Sequence, residues 1–300
     1  MNDPFHPGEL AVQERAGVRA MARKIGGGIH TTLVPAAKAF LAERELAVAA
    51  GVEESGAVWT SLLTGPRGFL EAVGDERLRV HALPREGDPL AGCVRDGGTL
   101  GLLVIELSTR KRTRLNGTVE RRPGGFDLVA LEVFGNCPKY IQARATEPAA
   151  RAPREPPAIV RGRTLSPAQR SWIAAADTFF VGSVHGEAGA DVSHRGGNPG
   201  FVRVVDESRI AWPDYTGNMM FQTLGNLQAD GRAGLLFIDF AGGGTLQATG
   251  RAAIDWDPAR AAAFAGAERV VDFTIGEVVE ARGHAAPRFR LLERSPFNPA

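Results

Sequence analysis

The 300-residue sequence lacks most of the features that mark secreted, membrane-spanning and nucleic-acid-binding proteins. It has two cysteines, Cys93 and Cys137, too few for a disulfide framework in a chain of this length. Its apolar runs are as short as strands, whereas a membrane helix needs about 20 apolar residues. The 35 basic and 34 acidic side chains leave a net charge of +1, so there is no basic surplus for phosphate backbones. The N-terminus does not resemble a signal peptide, and we expect a cytoplasmic protein that binds neither membrane nor nucleic acid.

The motifs of several common enzyme classes are also missing. No Gly-x-Gly-x-x-Gly is present, and no Gly-Lys pair that a phosphate-binding P-loop requires. His-Glu-x-x-His, Cys-x-x-Cys and Gly-x-Ser-x-Gly are absent as well. These absences argue against zinc hydrolases, P-loop phosphotransferases and α/β-hydrolases. The sequence predicts no metal site and identifies no catalytic residue.

An internal repeat is the most informative feature that the sequence does contain. At an offset of 132 residues, 35–42 aligns with 167–174, and Gly65-x-x-Gly68 aligns with Gly197-x-x-Gly200. At an offset of 133, 101–107 aligns with 234–240. Matches that keep their order over about eighty residues indicate a duplicated domain, since solenoid repeats are much shorter.

Each copy predicts one short helix followed by several short β-strands. A proline opens each helix, and Ser166 stands before the second as an N-cap. The strand runs are short and joined by hairpin-like turns, which is typical of small antiparallel barrels. We therefore predict a mainly β (α+β) protein with two tandem barrels. The predicted parts are an N-terminal extension (1–34), a first barrel (35–145), a proline-rich linker (146–164), a second barrel (165–257) and a C-terminal extension (258–300).

The segment 191–201 carries the first set of candidate ligand-binding side chains. Ser193, His194 and Arg195 are consecutive, and a glycine-rich turn with Asn198 follows. A hydroxyl, an imidazole, a guanidinium and open backbone N–H groups suit a phosphate monoester. A surface hairpin with a solvated arginine is the alternative interpretation.

The segment 213–226 carries the second set, which includes Tyr215, Thr216, Asn218 and Met219. We predict a short helix here, capped by Thr216 or Asn218, whose N-terminus would attract an anion. The methionines fit the core of that helix equally well.

The segment 134–141 carries the third set, Asn136, Lys139 and Tyr140, around Cys137. Pro138 suits the first turn of a helix beginning near Asn136, which would place Lys139 and Tyr140 beside exposed amides. No partner histidine is evident for Cys137, so we expect a packed side chain rather than a nucleophile.

The order of these motifs resembles the pyridoxamine 5′-phosphate oxidase-related FMN-binding split β-barrel proteins. The opening Phe5-His-Pro-Gly-Glu-Leu-Ala-Val-Gln and the segment 134–141 resemble an uncharacterised bacterial branch of that family. The likeness covers about residues 5–257. The motifs that carry it are Ser193-His-Arg, Gly200-Phe-Val-Arg-Val, Tyr215-Thr-Gly-Asn-Met, Thr223-Leu-Gly-Asn-Leu, Gly234-Leu-Leu-Phe-Ile-Asp-Phe and Leu246-Gln-Ala-Thr-Gly.

The resemblance implies an FMN-dependent oxidoreductase that transfers hydride through flavin N5 to or from a small-molecule substrate. In that family two barrels pair as a homodimer with flavin between them. A tandem chain could form the pair alone, as an intrachain pseudo-dimer, with Trp59, Ser61 and Thr64 bordering one site. The implied FMN contacts are Ser193, His194, Arg195, Asn198, Tyr215, Thr216, Asn218, Met219, Asn136, Lys139 and Tyr140.

One departure from the family pattern narrows the expected activity. Gly217 and Asn218 stand where the oxidases carry an Arg–Lys pair, so we do not expect oxidation of pyridoxamine phosphate. A non-enzymatic flavin or haem carrier or sensor is the second hypothesis, with His194 and His185 as haem ligands. A structural protein with two degenerate clefts is the third.

Overall fold

The protein contains two antiparallel β-sheets that share one topology. A computed structural model describes residues 3–147, 158–283 and 287–300. Most of the predicted linker 146–164 therefore lies outside the described residues.

The described residues of the first half of the chain form three helices, a 3-10 turn and eight strands. The elements are α1 (Pro7–Arg15), α2 (Arg19–Gly26), α3 (Pro35–Ala42), β1 (Leu46–Val52), β2 (Val58–Thr64), β3 (Leu70–Val73), β4 (Arg77–Val80), a 3-10 turn (Pro89–Cys93), β5 (Thr99–Glu106), β6 (Lys111–Arg122), β7 (Gly125–Gly135) and β8 (Ala143–Thr146).

The second half repeats the order of the barrel strands, with an additional strand at its start and a short helix before the last long strand. The elements are β9 (Ala158–Gly162), α4 (Pro167–Ala175), β10 (Thr178–His185), β11 (Gly189–Gly196), β12 (Arg203–Val204), β13 (Arg209–Asp214), α5 (Gln222–Ala229), β14 (Arg232–Ile238), β15 (Thr245–Asp255), α6 (Pro258–Ala262), β16 (Arg269–Arg282) and β17 (Phe289–Glu293).

The strand orders of the two sheets correspond one to one. The first runs β2-β1-β5-β6-β7-β4-β3 and the second β11-β10-β14-β15-β16-β13-β12. In each sheet all the long strands direct side chains into one buried core, with Trp59 in the first core and Trp212 in the second. The predicted mainly β fold of two split barrels is confirmed, and the shared topology is what a tandem duplication predicts.

The glycines that recur in both copies are required by the conformation of one turn. A Cβ at Gly65 or Gly197 would lie 2.5 or 2.6 Å from the side chain of the phenylalanine four residues later. Gly68 and Gly200 have φ angles of 87° and 91°, a conformation that other residues rarely adopt. The turn after β2 and the turn after β11 therefore need the same glycine pair.

The barrels pack against each other through a reciprocal contact that resembles a two-fold interface. A Cβ at Gly101 in β5 would lie 2.6 Å from Asp191 in β11, and one at Gly234 in β14 would lie 2.5 Å from Val58 in β2. Alternate residues of the central strands, such as Val48 and Phe180, form an apolar cluster between the barrels. The two barrels of the chain thus pack directly on each other.

Three parts of the predicted domain boundaries need correction. β16 pairs with β13 and β15 inside the second sheet, so the second barrel extends well beyond residue 257. β9 pairs with β16, so residues 158–162 form a strand rather than part of a linker. α1 packs on α5, and β17 pairs with β8, so both predicted extensions contact the barrels. The long-range partners of β9 and β16 could not be found from local composition.

Within the described residues, no helix is both long and apolar enough to cross a membrane.

Candidate functional site

A cavity of about 110 Å³ lies between the two barrels. Its walls come from β6 of the first barrel, the loop after β7, the strands β11 and β13, and the start of α5. The structure brings nine of the eleven predicted ligand residues together here. They are Asn136, Lys139, Tyr140, Ser193, His194, Arg195, Tyr215, Asn218 and Met219.

The other two predicted residues, Asn198 and Thr216, do not line the cavity. The Asn198 amide donates to the Pro299 carbonyl at 2.8 Å, so the C-terminal tail occupies it. The Thr216 hydroxyl donates to Glu268 at 2.6 Å, while its carbonyl accepts a hydrogen bond from the Tyr140 hydroxyl at 3.0 Å. Thr216 therefore holds the cavity loops together.

Arg112 and Arg114 of β6 are cavity residues that sequence reasoning missed. They are two positions apart on one strand, so both side chains point to the same face. Arg114 is 4% exposed and reaches the other barrel, where it donates to Asp191 at 2.8 Å and to Ser193 Oγ at 2.8 Å. Ser193 is thereby positioned by the first barrel as well as by its own strand.

Arg112 is a cation of the cavity wall that lacks an acidic partner. Its guanidinium donates to the Cys137 carbonyl, and it forms no ion pair with any residue that the structure describes. Burial, together with the charge of Arg114, lowers the pKa of Arg112 to about 9. A cation in this position would be stabilised by an anionic ligand.

The opposite wall holds Arg195 and His194. Arg195 donates to Asp214 at 2.6 Å, and Asp214 also lies 3.3 Å from Arg269. Burial lowers the pKa of His194 well below its usual value, and the charges of Arg112, Arg144 and Arg195 act in the same direction. His194 is therefore neutral at physiological pH, and its Nε2 has no hydrogen-bond partner.

The loop before α5 differs from the prediction. α5 begins at Gln222 without a side-chain cap, so neither Thr216 nor Asn218 caps it. The Asn218 side chain instead accepts a hydrogen bond from the Met220 amide at 3.1 Å, which closes a local turn. Met220 is buried in an apolar cluster, as the core interpretation predicted, whereas Met219 faces the cavity.

The predicted helix beginning near Asn136 is also wrong. Residues 136–141 form an irregular turn, with the Tyr140 amide donating to Ser295 Oγ at 3.2 Å. The C-terminal tail supplies this hydrogen bond, which local sequence could not indicate.

The backbone around the cavity is strained at three residues. Tyr140, Met219 and Phe221 have φ angles of 60–63°, although none is glycine. Such conformations are uncommon for bulky residues and concentrate at ligand-binding sites. These conformations direct the loop after β7 and the loop before α5 toward the same cavity.

Unpaired hydrogen-bonding atoms are concentrated at this cavity. Within the described residues, fifteen buried side-chain nitrogen or oxygen atoms have no hydrogen-bond partner, and seven belong to cavity-lining residues. Six of the seven are nitrogens. The seven atoms are Arg112 Nε, Arg114 Nε, Asn136 Nδ2, His194 Nε2, Arg195 Nε, Gln222 Nε2 and Asp214 Oδ2. Buried polar groups are seldom left unpaired, so acceptor oxygens of a ligand or of water would complete the hydrogen bonding of these nitrogens.

The pseudo-symmetric counterpart of the cavity is nearly closed, at about 20 Å³. Thr245 and Gln247 stand where Arg112 and Arg114 stand in the first copy, at the repeat offset of 133. Gln247 donates to the Thr60 carbonyl at 3.0 Å and to Asp88 at 3.2 Å, which fills the space.

Two of the first-copy residues that were predicted to border a site, Trp59 and Ser61, do not line the open cavity. Ser61 borders the closed cleft and hydrogen-bonds to Asp88, while Trp59 is buried in the first core. Ile159 of β9 lies against the same cleft, so β9 helps to close it. The first barrel contributes to the open cavity through β6 instead.

Comparisons with known proteins agree with the fold. Residues 165–297, which include the second barrel, match the family described as pyridoxamine 5′-phosphate oxidase. The match extends beyond residue 257, in agreement with the position of β16. No curated protein matches the chain.

Several solved structures are similar at low identity. HupZ from Group A Streptococcus is 14% identical, with 38% of this chain and 92% of that chain covered, at a TM-score of 0.32. A Clostridium acetobutylicum protein related to general stress protein 26, of the pyridoxinephosphate oxidase family, is 12% identical (40% and 89% covered, TM-score 0.28). An FAD-binding protein from Mesorhizobium loti is 13% identical (40% and 97% covered, TM-score 0.28).

The two histidines considered as haem ligands do not converge. His194 faces the cavity from β11, opposite Phe180 of β10. His185 lies five residues further along β10, about 17 Å away at the rise of an extended strand, and stacks on His6 at 3.9 Å. A site that uses both as ligands to one haem is excluded by this geometry.

Proposed function

We propose that the protein is an FMN-dependent oxidoreductase of the pyridoxamine 5′-phosphate oxidase-like superfamily, with one flavin in the open cavity between its barrels. The observation that carries the proposal is the set of unpaired buried nitrogens around that cavity. Four cations and a single carboxylate line it, so an anionic ligand is favoured.

The lining residues carry donors that suit a phosphorylated flavin. Arg112, Arg195 and Lys139 offer charged donors to a phosphate, which forms strong charge-assisted hydrogen bonds with such groups. Asn136, Gln222 and His194 offer neutral nitrogens to the oxygen- and nitrogen-rich edge of the ring system or to ribityl hydroxyls. Bound flavin supplies hydride transfer at N5, which no protein side chain provides.

The chain's own groups position the ligand and limit its contact with water. The rings of Tyr140 and Tyr215 pack at 5.0 Å, and the Tyr140 hydroxyl hydrogen-bonds across to the Thr216 carbonyl. Burial raises the pKa of Tyr215 to about 12, so it stays neutral. We assign no acid or base, and Gly217 with Asn218 argues against pyridoxamine phosphate as substrate.

The test is binding of FMN to the purified protein, followed by absorbance and by flavin fluorescence. Arg195→Ala should weaken binding by about 1.5–3 kcal/mol, the scale of a charge-assisted hydrogen bond. It should not unfold the protein, since Asp214 keeps Arg269 as a partner. Arg209→Ala, which removes an exposed arginine from β13, is the matched control.

The spectrum also separates the alternatives. A flavin spectrum with no turnover of any reductant would favour a carrier or sensor, and a Soret band would indicate haem. A colourless protein that does not bind added FMN would exclude the proposed function.

A further inference from the structure

The loop before α5 is anchored at Met220 by residues that lie outside the second barrel. Gln13 of α1 is fully buried, and its Nε2 donates to the Met220 carbonyl at 2.8 Å. The Met220 side chain lies in an apolar cluster with Phe5, Ala22 and Phe134. The N-terminal segment therefore contacts both the backbone and the side chain of this residue.

Met220 stands between the two strained residues of the loop. Met219 and Phe221 have φ angles of 63° and 60°, and both line the inter-barrel cavity. Such conformations persist only where surrounding contacts hold them. Asn218 accepts from the Met220 amide within the loop, whereas Gln13 holds the carbonyl of the same residue from α1. The place of that carbonyl therefore sets the direction of the peptide units on both sides of it.

α1 is itself fixed against the cavity wall. A Cβ at Gly8 would lie 2.3 Å from the Gly225 carbonyl oxygen, so α1 and α5 approach through their backbones. His6 Nε2 lies 2.8 Å from Asn226 Oδ1, which adds a polar contact between the same elements. The other end of the Gln13 amide accepts from Arg19 at 3.1 Å, so the orientation of the Nε2 donor is fixed as well.

We propose that Gln13 is a positioning residue of the flavin site. By holding the Met220 carbonyl it keeps Met219 and Phe221 directed into the inter-barrel cavity, although Gln13 does not itself line that cavity. The N-terminal segment thereby belongs to the ligand-binding unit. The effect on flavin rests on the proposed function, whereas the effect on the loop does not.

The experiment compares Gln13→Met with wild type by two measurements. Methionine preserves the size of the side chain and removes its donor. The FMN dissociation constant, from fluorescence titration, should rise about five- to tenfold, the effect of one lost hydrogen bond to a buried group. Amide exchange of residues 217–224 in the protein without flavin should become faster. Ile173→Val, a buried change on α4 with a similar cost in stability, is the matched control and should alter neither quantity.

A conservative variant distinguishes the hydrogen bond from general packing. In Gln13→Glu an ionised carboxylate cannot donate to the Met220 carbonyl, whereas the protonated carboxyl can. Its FMN affinity should therefore match that of Gln13→Met at about pH 8 and move toward wild type at about pH 5, because burial raises the pKa of a carboxyl. Comparison with Gln13→Met at each pH cancels the titration of Glu9 and of the flavin phosphate. If Gln13→Met does not fold, the same pH dependence, measured against wild type, decides.

The outcomes separate this inference from the proposed function. Weaker FMN binding and faster exchange of 217–224 in Gln13→Met, with neither change in Ile173→Val, support the positioning role. FMN affinity equal to wild type in Gln13→Met, or an equal loss in Ile173→Val, overturns it even though FMN binds. If the protein takes up no FMN but exchange of 217–224 is faster in Gln13→Met alone, Gln13 still positions the loop and the flavin proposal fails.

Discussion

Arg112→Thr should weaken flavin binding and at the same time stabilise the protein without flavin. The substitution places in β6 the residue that occupies the corresponding position of β15, Thr245, in the closed cleft. Both effects arise from one structural fact: the Arg112 cation is largely buried beside Arg114 and has no acidic partner in the described chain.

The magnitudes follow from the contacts of Arg112. An uncompensated buried charge costs about 1–3 kcal/mol, and the lost hydrogen bond to the Cys137 carbonyl offsets about 1 kcal/mol of the gain on removing it. We therefore expect the free energy of unfolding to rise by about 1 kcal/mol, which is about 2–4 °C in Tm. Loss of a charged donor to phosphate should raise the FMN dissociation constant about ten- to hundredfold.

The assay is thermal unfolding with and without FMN, combined with fluorescence titration. Wild type should gain Tm on adding FMN, because a ligand that binds only the folded state stabilises it. The Arg112→Thr variant should have a higher Tm than wild type without FMN and a smaller increase in Tm when FMN is added. Arg251→Thr, the same change at an exposed position of β15, should alter neither quantity. A lower Tm for Arg112→Thr without flavin, or an unchanged FMN affinity, would refute the reasoning.

Three further predictions concern other parts of the molecule. FMN titration should saturate at one flavin per chain, because the counterpart cleft is filled; two per chain would contradict this. Lys139→Ala should raise the FMN dissociation constant, with a difference from wild type that shrinks as salt is added, whereas Cys137→Ser should leave binding and turnover nearly unchanged; the reverse result would move the chemistry to the thiol. Burial raises the pKa of Glu9 to about 8, so its contribution to stability is present at low pH and is lost as pH rises through 8. Burial lowers the pKa of His6 to about 4, which opposes this effect only below pH 6.5. The free energy of unfolding should therefore fall between pH 6.5 and 8, by up to about 1.4 kcal/mol per pH unit, and Glu9→Gln, measured by denaturant titration at each pH, should flatten that slope.

Local sequence carried most of the information about the barrels themselves. The turns at Gly65 and Gly197 each include a local contact, between the glycine and the phenylalanine four residues later. The same holds for the helix that Ser166 caps, where the hydroxyl accepts from the Gln169 amide. Repetition of these local patterns at a fixed offset was enough to predict two copies of one fold.

The sequence also indicated which segments carry ligand-binding residues, because Ser193, His194 and Arg195 are adjacent in the chain. It did not indicate Arg112 or Arg114, although a comparison of the two copies offered a signal. Arginines occupy alternate positions of β6, where the second copy has Thr245 and Gln247. A charged pair on a strand that packs against another barrel has no local explanation.

Tertiary structure alone decided which of the two clefts is open and how its groups are charged. Arg114 meets Asp191 across 77 positions of the chain, and Gln247 meets Thr60 across 187. The pKa shifts of Arg112 and His194 depend on burial between the barrels, which neither copy has by itself. Strands and turns follow from neighbours in sequence, but a cavity between two domains follows from contacts that exist only after the domains have packed.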